Sequence, residues 1–266
     1  IFPPCPSKAK GLRGRLGKSN FFFCRRGDSL LAHQKLSTLI ILWYTVPMNI
    51  LVIGGTSGLG LELARKFRDV GATVCVTGRR SFEETGLQYE PFDLSEPELP
   101  HRIGELLKRL PQIDTFVYAA GYFQDGRVTD LSEQQIEEMI DVGGRGLIYF
   151  VKALLEVQDK LPELITITST SAWTPRQREP IYNFVKAGAA HFSNAMAEDG
   201  RVGKVLVAGP AGMKTAFWDG IEKDLDSLLE PEWVAEEVMK LRGQDYTYRF
   251  AKIMRDPARV EIVETR

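Results

Sequence analysis

The segment Asn49–Ile53 is a short apolar run, and Gly54, Gly58 and Gly60 follow it directly. This junction constrains the fold more than any other part of the chain. An apolar run without polar alternation suits a strand buried on both faces, which means a parallel sheet covered by helices. After the glycines, Leu59, Leu63, Ala64, Phe67 and Val70 recur at helical spacing, and Gly71 ends the helix. The same alternation continues downstream. Strands are expected at 73–77, 88–92, 115–120, 164–169 and 204–208, and a last one at 260–263. Helices are expected at 100–110, at about 133–157, at 182–198 and at 231–241. Ser132 and Gln135 form a capping box ahead of the long 133–157 helix. Strands alternating with helices at this spacing predict βαβ units and a doubly wound α/β domain, a parallel sheet with helices on both faces.

Charge divides the chain at Met48. The whole has a net charge of −1, but residues 1–47 hold eight Lys/Arg and one acid, Asp28, so the leader is +7 and the remainder −8. An acidic body argues against nucleic acid as the main partner. Only Cys75 lies beyond the leader, so no disulfide framework exists and a reducing, cytoplasmic setting is expected. The leader's apolar run at 36–46 is shorter than the roughly 20 residues a membrane span needs, so no stable membrane insertion is expected. Three readings of the leader stand open: sequence upstream of a true start at Met48 or left by cloning, an organelle-targeting segment, or a basic or membrane-surface arm. Residues 48–266 are expected to be the catalytic domain.

A glycine turn between the first strand and first helix lets the backbone approach a pyrophosphate, which meets the free N–H groups of the helix N-terminus. The second strand ends Thr77-Gly78-Arg79-Arg80. Where an NAD site usually places an acid for the ribose hydroxyl, this chain has glycine and two arginines, which favours the 2′-phosphate of NADP(H) over NAD(H). Asp93 follows the third strand, within reach of an adenine edge. Tyr182 and Lys186 stand at i,i+4 on one helix face. An ammonium beside a phenol favours the phenolate, so Tyr182 is expected to act as general acid/base. Ser169, at the end of the fifth strand, is placed to hold a substrate oxygen. The histidines His33, His101 and His191 have no metal-ligand spacing, so no metal is expected.

Together these motifs resemble the short-chain dehydrogenase/reductase family over residues 48–266. GGTSGLG (54–60) is similar to the family's glycine motif, FDL (92–94) to its adenine-side Asp segment, YAAG (118–121) to its NNAG, and GPAGMKT (209–215) to its PG…T segment. The resemblance implies a Rossmann-type fold and a catalytic set of Ser169, Tyr182 and Lys186. It implies cofactor contacts from Gly54, Thr56, Ser57, Gly58, Leu59, Gly60, Arg79, Arg80, Asp93, Leu94, Ala119, Ala120, Gly121, Tyr182, Lys186, Pro210 and Thr215. Lys186 would hold the nicotinamide ribose hydroxyls and Thr215 the carboxamide. A carbonyl or alcohol of small-molecule size would be the substrate. The resemblance further suggests a homodimer or homotetramer paired through the helices at about 133–157 and 182–198.

Three positions depart from the family pattern. Gly143 stands where a helix asparagine often completes the catalytic set, Ala119 replaces the asparagine that braces the central strand, and Ala211 replaces the glycine after Pro210. Restoring asparagine at 143 is expected to leave folding largely intact. Only about 15 residues separate Thr215 from the helix at Pro231, which suggests an open site of loose selectivity. Trp173 and Pro175 either wall a substrate pocket or simply pack. The rival to an active enzyme is a nucleotide-binding regulator or scaffold that kept the fold and lost turnover.

Overall fold

The computed structural model describes residues 48–218 and 224–266; the readings of the leader lie outside them. Among the described residues, eight strands form one sheet in the order β3-β2-β1-β4-β5-β6-β7-β8. They are β1 (Asn49–Ile53), β2 (Thr73–Gly78), β3 (Leu87–Pro91), β4 (Thr115–Tyr118), β5 (Leu161–Ile167), β6 (Val202–Pro210), β7 (Tyr248–Arg255) and β8 (Ala258–Thr265). The helices are α1 (Gly58–Asp69), α2 (Leu99–Arg109), α3 (Glu133–Ile140), α4 (Gly146–Gln158), α5 (Pro180–Met196) and α6 (Pro231–Arg242).

The unbroken apolar run of β1 serves two cores. Leu51 and Ile53 face one with α2, α4 and α5, while Ile50 and Val52 face the other with α1 and α6. Burying one such side chain is worth roughly 1.5–3 kcal/mol, so each of these four residues helps hold a helix layer down. The first seven strands are parallel, and β1 lies between β2 and β4, where the strand order reverses. Open α/β sheets bind ligands in the crevice beyond the strand ends at such a point.

The doubly wound architecture is as expected, and two details differ. The sheet is not wholly parallel: β8 returns antiparallel along β7. β7 itself escaped the sequence reading because Arg249 and Lys252 interrupt its apolar residues. The long helix at 133–157 is also broken. Ser132 and Gln135 do form the capping box of α3, but residues Asp141–Arg145 make a π-helical turn before α4 begins.

Candidate active site

The glycine turn builds a cradle at the end of β1. Gly54 and Gly58 take φ of 77° and 52°, which favour glycine. A Cβ on Gly60 would lie 2.1 Å from the Gly54 carbonyl oxygen, so α1 can start this close to the turn only with glycine there. The side chain of Ser57 is exposed, whereas Leu59 and Leu94 point into the cores and leave only backbone for a ligand. Gly54 rests against the backbone of Ala119 and Ala120, so the turn and the end of β4 share one cleft. The backbone amides and the absent side chains fit a pyrophosphate closely.

At the end of β2 the reason for Gly78 becomes physical. A Cβ there would meet the Thr56 hydroxyl at 2.1 Å, so Thr56 of the turn fills the space a carboxylate-bearing residue would need. Arg79 and Arg80 are exposed beside it, and the Tyr89 hydroxyl fixes their loop by donating to the Arg80 carbonyl (2.8 Å) and to the Gly78 carbonyl (3.2 Å). Asp93 accepts from the Ser95 amide (3.0 Å) and hydroxyl (2.7 Å). Burial raises the pKa of its carboxyl, but the Ser95 donors and the nearby charges of Arg79 and Arg102 outweigh that and hold it low. Arg79 and Asp93 therefore share one rim.

The catalytic candidates come from two elements. Ser169 follows β5, where its hydroxyl accepts from the Ser171 amide (3.1 Å). Tyr182 and Lys186 lie one turn apart on α5, which opens on Pro180. The Ser169 hydroxyl is near enough to the Tyr182 phenol to act on its pKa. Lys186 is buried, its Nζ donates to the Ile167 carbonyl (3.1 Å) and lies 5.6 Å from the Tyr182 ring centre. A Cβ on Gly121 would be 3.6 Å from that Nζ, so the cleft lined by Ala119–Gly121 runs directly to the lysine. Pro210 ends β6 beside the same crevice, and the Thr215 methyl lies 3.1 Å from the Cβ position of Gly58. The structure thus brings the glycine turn, 119–121, 169, 182, 186 and 215 to one edge of the sheet.

The electrostatics differ from the expected phenolate. Burial of the phenol end pushes the Tyr182 pKa up, and the nearby Ser169 hydroxyl only partly offsets this. Burial also lowers the Lys186 ammonium, from 10.5 to about 8. In a site of low dielectric both groups are driven toward their neutral forms. The phenol is consequently held protonated.

Aromatic rings stand around the tyrosine. Phe123 lies 5.2 Å and Phe217 6.0 Å from the Tyr182 ring, and Trp218 meets both phenylalanines at 5.9 Å and 5.3 Å. Phe217 thus packs against the tyrosine, which is half-buried. Trp173 packs edge-on to Phe250 (5.6 Å) and covers Gly209, so it belongs to the scaffold; Pro175 is exposed. Sequence reasoning passed over Tyr118, Phe123, Ser171, Arg176 and Glu179. The run Ser169-Thr170-Ser171 was the one local sign of the polar set among them.

The family model described as short chain dehydrogenase matches residues 48–226. The chain belongs to the short-chain dehydrogenase family. An uncharacterised oxidoreductase of Staphylococcus aureus (strain MRSA252) is 26% identical over 205 residues, covering 71% of this chain and 87% of the relative. The solved serine dehydrogenase of Escherichia coli is 27% identical with a TM-score of 0.63, covering 74% of this chain and 92% of its own. A closed serine dehydrogenase complexed with NADP+ is 25% identical with a TM-score of 0.66, covering 76% and 94%. As a short-chain dehydrogenase this protein is an oxidoreductase that works with a nicotinamide cofactor on a small-molecule substrate. No helix among its described residues is long and apolar enough to cross a membrane.

Proposed function

We propose that this short-chain dehydrogenase is an NADP(H)-dependent carbonyl reductase in which Tyr182 delivers the proton. The observation that carries the reading is the half-buried Tyr182 side chain, its phenol near Ser169 and one turn from the buried Lys186, at the mouth of the glycine cleft. A phenol kept protonated by burial is already loaded as a donor, which suits reduction; the reverse reaction needs Tyr182 to accept a proton. When bound, the nicotinamide supplies the hydride. Ser169 offers its hydroxyl to the substrate oxygen as negative charge develops there. Lys186, charged below about pH 8, stabilises the phenolate that remains after proton transfer.

Preference for NADP(H) rests on Arg79 and Arg80 at the cleft rim and on Thr56, which bars a carboxylate at 78. The similar closed serine dehydrogenase, complexed with NADP+, supports it. Gly143 favours a second reading, a nucleotide-binding regulator without turnover.

The deciding experiment measures NADPH and NADH affinity, and turnover of benzaldehyde, acetophenone and phenanthrenequinone, in wild type, Tyr182→Phe and Arg79→Ala. Tyr182→Phe is expected to lose about 10²–10⁴-fold in kcat with cofactor affinity unchanged. Arg79→Ala is expected to lose roughly tenfold or more in NADPH affinity while NADH is unaffected. Tight NADPH binding with no Tyr182-dependent turnover would instead favour the regulator.

A further inference from the structure

The glycine turn marks one end of the cleft and Tyr182 the other, and the rings of Phe123, Phe217 and Trp218 gather at the tyrosine end. Phe123 meets the Tyr182 ring edge-on at 5.2 Å and stacks on Phe217 at 5.9 Å with the planes 18° apart. Phe217 lies 6.0 Å from the Tyr182 ring, and Trp218 stands edge-on to Phe217 at 5.3 Å. The rings are held in place. Phe123 is 8% exposed, and its loop is tied to the start of α5 by the Gly126 amide on the Arg178 carbonyl (2.9 Å) and by Arg178 on Asp125 (2.7 Å). The Trp218 indole donates to the Met213 carbonyl (2.9 Å), which closes the 213–218 turn with Phe217 and Trp218 packed against Phe123.

The polar groups around these rings are already matched. Arg176, a cation that acts on the Tyr182 phenol, is held by Glu179 (3.1 Å), Ser171 (2.7 Å) and Thr170 (2.9 Å). Lys186 is buried with its Nζ on the Ile167 carbonyl. Tyr122 and Gln124, which flank Phe123 in the chain, bond each other (2.8 Å), and Gln135 donates to Gln124 (3.1 Å). A carboxylate or a row of hydroxyls on the substrate would give up water here for side chains that are taken, which costs affinity.

We propose that the substrate carries a flat aromatic ring on its carbonyl carbon, and that Phe123 and Phe217 set this specificity. The inference rests on the reading of Tyr182 as proton donor to a carbonyl. With the carbonyl oxygen at Tyr182 and Ser169, the group on the carbonyl carbon lands among the rings that stand 5.2 Å and 6.0 Å from the tyrosine ring. An aromatic ring has a negative face and a positive edge, so a second flat ring gains offset-stacked or edge-on contacts that a saturated ring of the same size does not. It also brings no polar group that the wall would leave unpaired. Aryl aldehydes, aryl ketones and quinones have this chemistry.

The test compares NADPH-driven reduction of acetophenone, of cyclohexyl methyl ketone as its saturated counterpart, and of pyruvate and glyceraldehyde. Wild-type kcat/KM for acetophenone is expected to exceed that for the saturated ketone about tenfold, and those for pyruvate and glyceraldehyde about 100-fold. Phe123→Leu and Phe217→Leu keep an apolar side chain and lose the ring. Each is expected to raise the acetophenone KM about tenfold, with kcat, NADPH affinity and reduction of the saturated ketone near wild type, because the ring contact is made equally before and during reaction. Equal losses for both ketones in both variants would make the rings supports of Tyr182 and overturn the proposal. A wild type that prefers pyruvate or glyceraldehyde, or that reduces both ketones equally well, would overturn it too, while Tyr182-dependent turnover would leave the donor assignment intact. Lost NADPH affinity with the ketone preference unchanged would give the rings to the cofactor and also overturn it. Turnover of Tyr182→Phe at the wild-type rate, or none of any compound in the wild type, would overturn the underlying reading as well.

Discussion

Lys186 is 4% exposed and ionisable, and its charge works against the fold. Its pKa falls from 10.5 to about 8 because burial penalises the ammonium. Between these values the unfolded chain binds more protons than the folded one, so stability rises with pH across that window and the penalty is complete below about pH 8. At about 1.4 kcal/mol per unit the charged form costs about 3 kcal/mol. Lys186→Met removes that cost and loses the bond to Ile167, worth about 1 kcal/mol. Urea titrations at a series of pH values should therefore find the variant more stable than wild type by about 1–2 kcal/mol at pH 7. The gap should close toward pH 10.5. The same titration removes the charge near Tyr182 above about pH 8, so wild-type kcat/KM should decline on that alkaline limb.

The π-helical turn between α3 and α4 shows how one element absorbs several unusual residues at once. Tyr118, at the end of β4, donates its hydroxyl to the Val142 carbonyl inside the turn (2.5 Å). That hydroxyl would lie 2.4 Å from a Cβ on Gly146, so the tyrosine and the glycine require each other. Gly143 is matched in the same way by Val185 of α5, whose methyl would lie 2.1 Å from a Cβ. The expectation that asparagine at 143 leaves folding intact is thus revised, because a β-branched neighbour on a helix has little rotamer freedom to retreat. Gly143→Asn should destabilise by about 1–3 kcal/mol through overpacking. Gly143→Asn with Val185→Ala should recover most of that in urea unfolding. A single variant as stable as wild type would show that Val185 yields freely.

At the scale of the whole molecule, α4 and α5 carry apolar side chains that the described chain does not cover: Ile148 is 44%, Val157 60% and Phe184 66% exposed. Pairing of two copies through these helices would bury them, so sedimentation is expected to give a dimer or tetramer, and Phe184→Glu to shift it toward monomer. A monomeric wild type would leave those faces for another role. Much of the architecture was legible in the sequence because it depends on local signals. An unbroken apolar strand needs cover on two sides, glycines mark the close turn, and the Ser132–Gln135 capping box marks the start of α3. The glycine turn was legible for the same reason, since its glycines are needed by backbone geometry. Residues whose roles depend on distant partners were not legible. Tyr118 matters through a carbonyl 24 positions away, Gly143 through Val185, and Gly78 through Thr56. The pKa values of Tyr182 and Lys186 could not follow from an i,i+4 spacing, because spacing sets proximity while burial sets the dielectric. Ser169, Ser171 and Glu179 are near in sequence, yet only the packing of the 170–179 loop on α5 aligns them into one chain of hydrogen bonds. Sequence alone determined the order of strands, helices and glycine turn, which local signals set; tertiary structure decided which side chains come together and how far each is buried, because both depend on what surrounds each group in space.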